Sequence, residues 1–201
     1  DSSDAYSTGI RDKFVEEAAN KGLEIVTNEA FTADSKTDFS VQVQKAKDAG
    51  AELVFLPIYY AEANLIIQEM DKQGFDALIF GCDGLDGLLT IEGADLSLFE
   101  GVMLLTPFVA DADDEATQAF VSKYQEKYGE VPNQFAADAY DGIYTILAAI
   151  EQSGATPDMD ASTLCDALKA AMTEITVDGL TGEGMQWEAT GEVNKAPRAM
   201  K

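Results

Sequence analysis

Residues 51–85, AELVFLPIYYAEANLIIQEMDKQGFDALIFGCDGL, constrain the fold more than any other stretch of the chain. Residues 53–56 are an apolar run without alternation, the pattern of a strand covered on both faces, and Pro57 ends it. Ala63, Ile66, Ile67 and Met70 then recur at helical spacing, and Gly74 stands where a left-handed helix cap costs least. Residues 77–80 form the next strand. Two strands joined by a helix in so short a stretch pair in parallel through a right-handed crossover. Ligands of open parallel sheets lie beyond the carboxyl ends of the strands, which directs attention to residues 57–60 and 81–86. The first turn carries Tyr59 and Tyr60, the second Asp83 and Asp86.

The segments NKGLEIV, DAGAELVF and KQGFDALIF share one grammar, a glycine closing a helix just before an apolar strand. That repetition predicts an α/β fold with a parallel open sheet. DSSDAYSTG opens the chain with turn and capping residues, as if just after a strand, and a helix follows through Ile10, Phe14, Val15 and Ala18 to Gly22. Residues 23–27 read as a strand, and Thr37 or Asp38 caps a helix through Phe39, Val43 and Ala46. After Gly81 comes a loop with one helical turn, then a strand over residues 102–106 that stops at Pro107.

Beyond that point the grammar changes. Asp113 or Asp114 caps a helix with Phe120 and Tyr124, Asn133 opens a longer one with Tyr140, Ile143, Tyr144, Leu147 and Ile150, and a third carries Leu164, Leu168 and Met172. Three successive helices need an apolar partner surface. Asp178-Gly179 and Thr190-Gly191 then mark turns around short strands. The expected organisation is an α/β ligand-binding region over 1–107, a helical segment over 108–174 and a β-rich tail over 175–201.

Thirty-seven acidic against thirteen basic residues give a net charge of −24, dispersed along the chain, which argues against nucleic acid and anionic lipid as partners. No stretch reaches the length of a membrane span. There is no histidine, so the commonest general base and metal ligand is missing and hydrolytic or zinc chemistry is disfavoured. Cys82 and Cys165 are too few for a disulfide framework or zinc site. No catalytic residue, metal or cofactor is expected.

The strand-to-helix turns should bring Tyr6, Tyr59, Tyr60, Asp83 and Asp86 to one sheet edge. A carboxylate beside aromatic rings is a socket for an ammonium group, joining a charge-assisted hydrogen bond to cation–ring attraction. Blander readings stand beside this: Tyr59 and Tyr60 as core or rim aromatics, Asp83 and Asp86 as loop and capping residues, and Cys82 as a small buried thiol.

The order YSTG, DFSVQVQKAKDAGAELVFLPIYYAEANLIIQEMDKQGF, GCDG, EGVMLLTPF, FVSKYQEKYGEVPNQFAADAYDGIYTILAAIEQSG and DGLTGEGMQWEATGEV resembles the branched-chain amino-acid binding proteins, type I periplasmic solute-binding proteins of ABC transporters. The resemblance implies a non-enzymatic, two-lobed protein that closes on an amino acid and delivers it to permease subunits. It also implies export through a signal peptide to the periplasm or outer surface, where some members are tethered by lipid. It carries over to Tyr6 and Tyr60 as cleft residues, to Asp83 as the acceptor of the ligand's ammonium, and to Phe135 in NQFAADAYD as a cleft-wall aromatic, with Tyr59 beside them.

Family members carry a first lobe ahead of a sequence like this one. The resemblance therefore implies a fragment whose three helices would pack on absent residues. Several hundred Å² of exposed apolar surface corresponds to roughly 10 kcal/mol, so self-association is expected. Two other functions fit the residues less completely: a sensor ectodomain on the same fold, and a magnesium-dependent phosphoacceptor using Asp83 and Asp86. The second lacks an acidic pair after a first strand and a glycine-rich phosphate loop.

Overall fold

The structure, a computed structural model, describes residues 1–201. Two compact units make up the chain, Asp1–Leu105 with Ala199–Lys201, and Thr106–Arg198.

The first unit is built on the crossover seen in the sequence. β1 (Leu53–Leu56) and β2 (Leu78–Gly81) pair in parallel, in a register running from Leu53 opposite Leu78 to Leu56 opposite Gly81. α3 (Tyr60–Lys72) joins them and buries Ala63, Ile66, Ile67 and Met70, the positions its periodicity marks. Its last turn closes on Gly74 at φ +60, where the Phe75 N–H reaches back to the Met70 carbonyl. β3 (Met103–Thr106) continues the sheet in parallel, and β4 (Arg198–Met200) lies on its far side. The core gathers Phe39, Val43, Leu56, Ile58, Leu85 and Phe99 around this frame.

α1 (Ala5–Lys21) and α2 (Ser40–Asp48) complete the unit. α1 starts earlier than Ile10 because the Asp4 carboxylate accepts the Ser7 N–H at 2.9 Å and so caps a turn that apolar spacing does not mark. α2 starts at Ser40, and Asp38 accepts the Ser40 N–H just ahead of it. Phe14 of α1 stacks on Phe55 of β1 at 4.2 Å between centroids. Two expectations need correction. Residues 23–27 are extended but belong to no sheet, because no strand lies beside them to pair with. The loop after Gly81 holds three 3₁₀ turns, Asp83–Leu85, Leu88–Thr90 and Leu96–Phe99, where one helical turn was expected.

The second unit contains α4 (Glu115–Tyr128), α5 (Gln134–Ser153) and α6 (Ala161–Met172), capped by Asp114, Asn133 and Asp160. The tail folds back through two antiparallel bridges, Val177 with Met185 and Trp187 with Val193. One cluster joins Ala149 of α5, Ala171 of α6, Ile175, Val177 and Met185; another joins Phe108, Ala137 and Leu180. A buried carboxylate ties tail to helix. Asp141 is 4 % exposed and accepts from Leu180 N at 2.9 Å, Thr181 N at 2.8 Å and Thr181 Oγ1 at 2.7 Å. Gly179 is needed there because a Cβ would lie 2.5 Å from that carboxyl group. On the other side of α5, Tyr140, Ile143, Tyr144, Ile146 and Leu147 are exposed.

Asp141→Ala should lower stability in urea unfolding by about 3–5 kcal/mol, since it strands two backbone N–H groups and a hydroxyl. An unchanged midpoint would contradict the anchoring role. Backbone hydrogen bonds first hold the Asp4 and Asp114 carboxyls below their ordinary range, and the Thr163 hydroxyl does so for Asp160. A carboxyl depressed in the folded state contributes stability above its unfolded value near pH 4 and loses it as pH falls through the lower folded value. The unfolding midpoint should therefore drop below about pH 4, and Asp114→Asn should flatten part of that drop while keeping the cap.

Candidate functional site

Three chain segments meet past the carboxyl ends of β1 and β2. β1 runs through Pro57 and Ile58 into Tyr59, which is extended and precedes the first turn of α3. β2 runs through Cys82 into the 3₁₀ turn Asp83–Leu85. The first turn of α1 brings Tyr6 between them. Its hydroxyl donates to Asp83 Oδ1 at 2.8 Å and accepts the Gly84 N–H at 2.9 Å. Its ring stacks on Tyr59 with centroids 5.0 Å apart and planes 28° apart.

Gly84 makes this approach possible. A Cβ on it would stand 2.5 Å from the Ile58 carbonyl oxygen and 2.8 Å from the Tyr6 hydroxyl. Burial, followed by the hydrogen bond to Asp83, raises the Tyr6 hydroxyl far above the ordinary phenol value, so it stays a donor at every physiological pH. A carboxylate has about four acceptor positions. The bond from Tyr6 occupies one of these and orients the Asp83 carboxylate.

The other predicted residues divide. Tyr59 is 41 % exposed and presents the outer face of the aromatic pair; burial, then Asp4 and Asp83, raises its hydroxyl. Tyr60 is half-buried against the core, and its ring lies under Gly87, where a Cβ would come within 2.8 Å of it. Asp86 ends the turn, its N–H donating to the Asp83 carbonyl. Phe135, half-buried in the first turn of α5, belongs to the second unit. Burial, then Asp83, pushes the Cys82 thiol up to about 11, so it is protonated and unreactive at neutral pH.

Sequence reasoning missed Gly84 and Asp4. Gly84 supplies an N–H and the space for Tyr6, whereas GCDG alone reads as loop. Asp4 starts α1 at the register that aims Tyr6, and the D-x-x-S spacing of Asp4 and Ser7 is the signal that could have shown it. A cavity of about 800 Å³ in the first unit lies elsewhere and is not lined by Tyr6, Tyr59, Tyr60 or Asp83.

Tyr6→Phe should cost about 1–2 kcal/mol in urea unfolding by leaving the Gly84 N–H without its acceptor. The Gly84 amide should also exchange faster with solvent. Unaltered stability and exchange would show that the hydroxyl does not hold the turn.

A family model described as periplasmic binding protein matches residues 1–201. Leu/Ile/Val-binding protein homolog 3 of Brucella melitensis is 33% identical over 162 residues, covering 78% of this chain and 42% of its own. The leucine binding protein LivK of Thermotoga maritima superposes with a TM-score of 0.78 at 25% identity, over 97% of this chain and 53% of that one. LivJ of Streptococcus pneumoniae, solved in complex with isoleucine, gives 0.76 at 26% identity over 98% and 57%. The chain spans about half the length of the curated relatives it matches.

Proposed function

The chain belongs to the periplasmic binding protein family, matched across residues 1–201, and from that membership we propose that it is the ammonium-capturing part of an extracytoplasmic solute-binding protein of an ABC importer. Its relatives bind solutes and are not enzymes. The observation that carries the reading is the Asp83 carboxylate held by the Tyr6 hydroxyl at the carboxyl edge of the sheet, beside the exposed ring of Tyr59. A primary ammonium fits that pair of features: it donates to the carboxylate and lies against the ring face.

The ligand is a small amino acid with an apolar side chain, of the leucine, isoleucine and valine kind, with Tyr60 at the side of the site. Residues of the longer protein supply the partner for its carboxylate. That protein works outside the cytoplasmic membrane, free or lipid-tethered, and hands its ligand to permease subunits. The exposed row on α5 supports self-association of the 201-residue chain through a second copy. Light scattering should give a dimer mass at micromolar concentration, and a monomer mass throughout would contradict it.

Titration calorimetry of the chain with leucine, isoleucine, valine and a panel of other amino acids tests the site. The expected result is saturable heat with a branched-chain amino acid that Asp83→Ala lowers at least tenfold in affinity, about 1.4 kcal/mol. Binding undiminished in the variant, or heat from none of the panel, would count against the proposal.

A further inference from the structure

Helices that follow parallel strands begin at the carboxyl end of the sheet, and their N-termini carry positive partial charge, so such an edge ordinarily suits an anion. In this chain each terminus at that edge brings its own acid. Asp4 caps α1 and accepts the Ser7 N–H at 2.9 Å. Glu62 stands in the first turn of α3. Asp83 opens the 3₁₀ turn after β2, and Asp86 closes it. A helix N-terminus amounts to about half a positive charge. Asp4 and Asp83, with a full negative charge each, outweigh the two helix termini. The Tyr59 hydroxyl registers the balance: burial raises it first, and Asp4 and Asp83 raise it further.

Basic side chains do not reverse this sign. Residues 51–105 hold ten carboxylates and a single lysine, Lys72. That lysine pairs with Glu69 at 2.8 Å in the last turn of α3, the end away from Tyr60. Lys36 meets Glu62 at 3.0 Å, and Arg11 meets Asp12 at 2.6 Å. Each of these pairs returns its own acid to neutrality and adds no net positive charge to the edge.

We propose that this edge sorts amines by net charge, taking a cation such as an amino-acid amide or a simple alkylamine ahead of the zwitterionic amino acid with the same side chain. The inference rests on the reading that Asp83 receives an ammonium group, and it adds a preference among the compounds that carry one. The carboxyl carbon of an α-amino acid is two bonds from the ammonium nitrogen, so its charge enters the field of Asp4 and Asp83 together with the ammonium. Like charges a few ångströms apart at a protein surface repel strongly enough to shift an equilibrium about tenfold. An amide in place of the carboxylate removes that repulsion. A net cation is also drawn in by the negative potential before contact, whereas a zwitterion has no net charge to be drawn by.

Titration calorimetry of the 201-residue chain with leucine, leucinamide and 3-methylbutylamine reads the sorting, at pH 6.5 so that all three amines are protonated, in 0.01 M and in 1 M sodium chloride. Leucinamide and 3-methylbutylamine should bind about tenfold more tightly than leucine at the lower salt. The advantage should shrink to about threefold or less at the higher salt, where the screening length falls from about 30 Å to about 3 Å. Asp4→Asn, which keeps the cap and removes its charge, should narrow the advantage at low salt. Leucine binding as tightly as leucinamide, or an advantage indifferent to salt, would overturn the charge sorting and leave the ammonium reading in place. Heat from none of the three, or undiminished binding of all three to Asp83→Ala, would overturn both.

Discussion

Parallel pairing of β1 with β2 across α3 is the constraint on which the first unit depends. Parallel strands cannot be joined by a tight hairpin, so each must be followed by a crossover that returns to the same starting edge. All the strand-to-helix turns then fall at one end of the sheet. Tyr59 and Asp83 share a neighbourhood for that reason, although 23 positions separate them in the chain, and α1 adds Tyr6 to the same end. The Tyr6 hydroxyl makes that proximity a fixed geometry by bonding Asp83 and Gly84 together.

The elements most legible in the sequence were those whose signal is local. The apolar runs of β1, β2 and β3, the buried face of α3 and the cap at Asn133 depend on neighbours within a turn or two, and the structure places them where expected; of Asp113 and Asp114, the two candidate caps of α4, it is Asp114 that caps. β4 was illegible because Arg198, Ala199 and Met200 carry no strand pattern and owe their conformation to β3. Asp141 reads as an ordinary polar helix residue, and only the returning tail gives it three donors. Residues 23–27 show the converse, since strand-forming residues do not make a sheet without a partner edge.

The site was half legible in the same sense. Strand polarity placed Tyr6, Tyr59 and Asp83 at one edge, and they do meet there. Polarity could not show which tyrosine faces out. Tyr60, inside the first turn of α3, packs over Gly87, whereas Tyr59, one residue earlier and still extended, keeps an exposed ring. One step along the chain at a helix start turns the side chain to a different surface, a difference that depends on where the helix begins.

The central claim is that the Tyr6-oriented carboxylate of Asp83 recognises an ammonium group. Leucine and 4-methyl-2-oxopentanoate share a side chain and a carboxylate and differ in having an ammonium or a carbonyl. Nuclear magnetic resonance of the chain with labelled aspartate carboxyl carbons and glycine amides reads the site directly. The account predicts that leucine shifts the Asp83 carboxyl and Gly84 amide signals in a saturable way and that the oxo acid leaves both in place. Equal shifts with the two compounds, or none with leucine, would contradict it.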